Sequence, residues 1–84
     1  MVDVVPRIAT IDGVRIYLYP DDHMPPHFHI LCADGSEAQV KLVDLRVLRS
    51  NIKSSDLNRA LNWAEVTENR ERLLLMWREL NERE

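Results

Sequence analysis

The scarce residues set the first bounds. There is one cysteine, Cys32. No disulfide can close within the chain, and no thiolate-based zinc site can form. Cys32 is read as a half-buried strand residue, because cysteine is among the residue types most often found inside. There are two glycines, Gly13 and Gly35, both spent in turns. A glycine-rich phosphate loop needs more, so that kind of nucleotide cradle is excluded. Apolar runs are short. Leu73-Leu74-Leu75-Met76-Trp77 is among the longest, whereas a membrane-spanning helix needs about 20 apolar residues. The opening MVDVVPRIAT lacks the basic start and apolar centre of a signal peptide. The expected location is therefore cytoplasmic, with no membrane partner. Positive charge is not in excess either: the net charge is −3. Generic nucleic-acid coating depends on neutralising phosphates, so it is not expected. The local trio Arg46, Arg49 and Lys53 reads as a solvated edge.

At 84 residues the chain is one domain, 1–84, near the low end of size for a stable core. Residues 1–53 read as a β-sheet part and 54–84 as a helical hairpin. RIATI and VRIYLY flank Asp12-Gly13, the strongest short hairpin signal. A two-residue turn there pairs Ile11 with Val14 and Ala9 with Ile16. Ala9, Ile11, Val14, Ile16 and Leu18 then share one face. Pro20, Pro25 and Pro26 lack the N–H that a ladder needs, so residues 20–26 are loop.

HFHILCADGSEAQVKLV reads as a second hairpin, with two candidate registers. A two-residue turn at Asp34-Gly35 would pair His29 with Val40 and His27 with Leu42. A three-residue turn at Ala33-Asp34-Gly35 pairs Ile30 with Ala38 and Phe28 with Val40. A one-residue slip moves every side chain to the other face, so burial decides. The second register keeps apolar with apolar and is the one expected. His27, His29 and Leu31 then lie with Glu37, Gln39 and Lys41. Leu45, Val47 and Leu48 suggest a short fifth strand.

Ser54-Ser55-Asp56 reads as a helix start, with hydroxyl caps and an acid in the first turn. Leu57, Ala60, Leu61 and Ala64 recur at helical spacing. Thr67 or Asn69 is the expected cap of a second helix, whose apolar side is Leu73, Leu74, Trp77 and Leu80. Glu68–Arg72 and Glu79–Arg83 are spaced as ion pairs. A joint of 2–4 residues is expected between the helices. The fold class is α+β: an antiparallel sheet of four to five strands with a two-helix hairpin packed on one face.

The whole histidine supply lies in DDHMPPHFHI, residues 21–30. His27 and His29 are two apart on a strand and so share a face. Three readings follow. In the first, His23, His27 and His29, with Asp22, bind one divalent transition metal (Zn, Ni or Fe), since a catalytic site takes about three protein ligands and one open position. In the second, His27 and His29 act as acid and base on a phosphodiester and Lys41 steadies developing negative charge, which makes a small ribonuclease acting on RNA. In the third, the histidines are architectural and bond backbone groups that Pro25-Pro26 leaves free.

Asp22, His23, Pro25, Pro26, His27, Phe28 and His29 carry a resemblance. With RIYLYPD before them and Leu61-Asn62-Trp63-Ala64 behind, they make the chain resemble a small bacterial family, domain of unknown function 4160, over nearly its whole length. The family has no established activity. Its proteins are short and are often encoded beside another small protein. The resemblance therefore implies an interaction protein, one half of a two-gene, toxin–antitoxin-like module, whose partner is the neighbouring gene's product. Homo-oligomers fit the same reading, and a His-cluster hydrolase is the alternative. The chain departs from the expected pattern at Val43-Asp44-Leu45-Arg46, where a glycine-containing turn would introduce the fifth strand.

Overall fold

The computed structural model describes residues 7–20 and 24–81. Five strands come first: β1 (Arg7–Ile11), β2 (Val14–Tyr17), β3 (His27–Cys32), β4 (Glu37–Lys41) and β5 (Val47–Ser50). Two helices follow, α1 (Ser54–Glu65) and α2 (Thr67–Asn81). The strands form one antiparallel sheet in sequence order, each bonded to the next. Among the described residues no helix is long and apolar enough to cross a membrane.

The first hairpin has the expected register, with Ile11 opposite Val14 and Ala9 opposite Ile16. Asp12 and Gly13 sit at φ 47° and 84°, the paired positive values of a tight turn whose twist matches that of the strands. Arg7 pairs with Tyr17, so Ile8 is the extra residue of a bulge and is buried there. The second hairpin takes the apolar-matching register, Ile30 opposite Ala38 and Phe28 opposite Val40. Gly35, at φ 90°, sends its N–H to the Cys32 carbonyl. The backbone N–H and the hydroxyl of Ser36 both donate to the Asp34 carboxylate. These bonds, the side-chain one foremost, hold the Asp34 carboxyl below its ordinary pKa.

The fifth strand forms without a glycine. Leu45 itself adopts φ 60° and lies in the turn rather than in the strand. Its N–H donates to the Lys41 carbonyl, and the Lys41 N–H donates to the Arg46 carbonyl. The Arg46 N–H donates to the Asp44 carboxylate. The turn is thus tied by its own bonds, and β5 pairs Val47 with Val40, Arg49 with Gln39 and Ser50 with Ala38. Leu48 is the extra residue of a second bulge.

One cluster joins sheet and helices. Val14, Ile16, Leu18, Phe28, Ile30, Cys32, Ala38 and Val40 are buried on one side of the sheet, and Ala60, Ala64, Leu73 and Trp77 belong to the same core. At both buried α1 positions an alanine presents the least bulk, which favours close approach to the strands. Four helix expectations need correction. Lys53, in an extended conformation, is the N-cap of α1, and no side-chain bond caps the helix; neither Ser54 nor Ser55 does so. The joint is a single residue, Val66. Asn69 does not cap α2 but donates from its side chain to the Trp63 carbonyl, at the end of α1. The Trp63 carbonyl also accepts from the Val66 N–H at the C-cap, so Asn69 adds a second bond to the end of α1. Among the described residues no ion pair joins Glu68 to Arg72, whereas Arg59 pairs with Asp56. Arg83 lies outside the described residues.

Candidate functional site

Register places a polar row across the second side of the sheet. Tyr17, His29, Gln39 and Arg49 stand opposite one another on β2, β3, β4 and β5. His27 faces Lys41 one step along. The histidines and Lys41 are therefore neighbours, as the sequence predicts. Asp22 and His23, the other metal-ligand candidates, lie outside the described residues.

The surroundings of the histidines were not predicted. His27 has no exposed surface, and His29 retains 8%. Their rings are 5.0 Å apart. The Tyr19 ring lies 4.2 Å from His29, and Trp77 lies 5.4 Å from His27. Helix α2 reaches this end of the sheet through several bonds. The Asn81 amide donates to the Tyr19 carbonyl. Arg70 donates from Nε to the Leu42 carbonyl and from its terminal nitrogen to the Val43 carbonyl. The Leu42 N–H donates to the Pro26 carbonyl, tying the proline loop to the end of β4. The imidazoles thus sit where loop, strand end and helix meet.

His27 Nδ1 donates to the Pro25 carbonyl at 2.7 Å. In the neutral ring this bond puts the proton on Nδ1 and the lone pair on Nε2, the tautomer in which metal-binding histidines are commonly held. The Met24–Pro25 bond beside it is cis. Among the described residues no group of three His, Cys, Asp or Glu side chains is placed to hold a metal ion. The described part of the predicted ligand set is therefore two imidazoles, one of them tautomer-fixed, and Cys32 is buried elsewhere in the core. Chemically, a lone pair beside a second imidazole and a lysine suits proton transfer, but a fully buried ring reaches no bulk substrate unless the structure opens.

A second feature lies at the sheet edge. All four residues of β5 are exposed, including Val47 at 37% and Leu48 at 43%. Arg46 and Lys53, just beyond its ends, are exposed as well. An open depression of about 420 Å³ runs along β4 and β5, lined by Glu37, Ala38, Gln39, Arg49, Ser50 and Asn51. The sequence marked this basic trio only as a solvated edge. The overlooked signal was the short apolar pair Val47-Leu48 set between arginines, too polar for a central strand and too apolar for a loop.

Compared with known proteins, the chain matches one family model, described as "Domain of unknown function (DUF4160)", over residues 13–78. No curated protein and no solved structure matches it.

Proposed function

The chain belongs to the DUF4160 family, and from that premise we propose that it is an interaction protein, one half of a two-gene, toxin–antitoxin-like module that acts through its partner. The observation that carries this reading is β5, an edge strand exposed at every position. Proteins usually shorten, charge or cover such edges, because their unpaired backbone groups recruit other chains. This edge is short and charged, yet it keeps two exposed apolar side chains, Val47 and Leu48, beside the charges. The burial of His27 supports the same reading from the other side, since a ring enclosed by Trp77 and the proline loop serves architecture well.

The test is co-expression of the chain with the protein encoded by the adjacent gene, followed by size-exclusion chromatography. Co-elution as one species is expected. A chain that runs as a monomer and ignores its neighbour's product ends the proposal.

One arrangement favours the hydrolase alternative: the fixed tautomer of His27, with His29 5.0 Å away and Lys41 directly opposite. In that reading His27 and His29 transfer protons on RNA, with His23 and Asp22 completing a Zn, Ni or Fe site. The variants His27→Ala and His29→Ala separate the two. RNA cleavage and bound metal lost at unchanged melting temperature would speak for the enzyme. Lowered melting temperature, with no cleavage by the unchanged chain, assigns the histidines to the fold.

A further inference from the structure

We propose that β5 receives a sixth strand: an extended segment of a partner polypeptide whose acidic and apolar side chains alternate, with the acidic ones on the Arg49 side and the apolar ones on the Val47 side. The inference rests on the interaction reading and names the chemistry of the partner.

The argument starts from register. Arg49 stands opposite Gln39, on the polar side of the sheet, and Val47 stands opposite Val40, whose side chain belongs to the core. The two sides of the edge therefore differ in chemistry. Successive residues of an added strand point to opposite sides. Its ladder bonds supply affinity, and alternate side chains supply specificity. A partner that satisfies both sides alternates in period two. The depression along β4 and β5 fits the acidic half of that pattern. Gln39, Arg49, Ser50 and Asn51 carry hydrogen-bond donors around it, and Glu37 is its one acidic lining residue. Arg46 and Lys53 add cations past both strand ends, although the chain as a whole carries −3.

Charge also selects among occupants. A second copy docked β5 to β5 would bring two edges of the same sign together, each with Arg46, Arg49 and Lys53, and like charges close across a strand pair are destabilising. A nucleic acid is held by many phosphate contacts, whereas this edge offers three cations with a glutamate among them. An acidic strand brings charge opposite to the arginines, and its ladder bonds spare it the many ionic contacts that a phosphate backbone needs. The bulge at Leu48 twists the edge, as natural edges do to discourage indiscriminate pairing.

The probe is a short, blocked peptide of alternating Glu and Val. Its controls are the same peptide with Lys for Glu and one of equal composition with the Glu and Val residues in two blocks. Amide chemical shifts of the full chain are followed during titration. The Glu–Val peptide is expected to move Val47 to Asn51 and their β4 neighbours, more weakly as salt rises. Arg49 is exposed, so Arg49→Glu keeps the fold, weakens the Glu–Val peptide by about tenfold or more, and admits the Lys–Val peptide instead. Equal binding of all three peptides overturns the proposal, as do shifts located elsewhere. Self-association that the peptide disrupts gives the edge to a second copy. A uridine oligonucleotide that moves the same amides when the peptide does not gives it to nucleic acid, and either result overturns the proposal. The two readings fail separately. A neighbouring gene's product that binds the Arg49→Glu chain as well as the unchanged one removes this site and keeps the interaction reading. A peptide that binds β5 when the neighbour does not removes the two-gene reading and keeps the site.

Discussion

Single residues carry the sharpest physical claims, and Leu45 carries the sharpest of all. A left-handed backbone costs a residue with a Cβ about 1–2 kcal/mol. Leu45 bears that cost at φ 60° while its side chain packs on the core. A glycine there would relieve the strain and lose the packing, so Leu45→Gly is expected to be nearly neutral. Leu45→Val keeps more apolar surface but adds β-branching where the backbone tolerates it least. Urea titration should find Val less stable than Gly by about 1 kcal/mol or more; equal midpoints would refute the strain argument. The turn also marks where the sequence stopped being legible. The missing glycine at 43–46 argued against a fifth strand. The Asp44 carboxylate and the Lys41 carbonyl accept the bonds that make the turn possible anyway. Such bonds depend on conformation, which residue identity alone does not show.

At the level of elements, the strands were far more legible than the contacts between sheet and helices. Asp12-Gly13 and Gly35 named both hairpin turns, and the match of Phe28 with Val40 chose between two registers. That choice was physical, since the rejected register would have set His27 and His29 among the aliphatics. The sequence did not show that α2 closes the histidine end of the sheet. Arg70 is 28 positions from Leu42, and no local pattern links them. This bridge carries its own prediction. Leu42 and Val43 precede the strained turn, and Arg70 accounts for a carbonyl bond on each. Arg70→Met keeps the aliphatic stem and removes both bonds, at an expected cost of about 1–3 kcal/mol. Amide exchange at Leu45 and Arg46 should speed up more than exchange in β2. Arg70→Lys should rescue only part, because an ammonium lacks the planar fork that reaches two carbonyls. Full rescue by lysine would mean that charge, not geometry, matters there.

For the molecule as a whole, one core runs from Ile8 in β1 to Trp77 in α2. Among the described residues neither the sheet nor the helix pair keeps a separate apolar cluster, so the chain should unfold in one step. Leu73→Ala is expected to cost about 2–5 kcal/mol, and at this size each kcal/mol lowers the melting temperature by about 4–8 °C. Circular dichroism and tryptophan emission should give coincident midpoints in both the variant and the parent chain. A separate, earlier loss of helical signal would show that the helices form a unit of their own. The contact between Trp77 and His27 has a further use. Indole fluorescence is quenched by a nearby imidazolium or a transition-metal ion, and Trp77 is shielded from most other quenchers by its burial. The protein therefore has an optical gauge beside its histidine pair, and a proton, a metal ion or an opening of the proline loop would each register there as a change in emitted light.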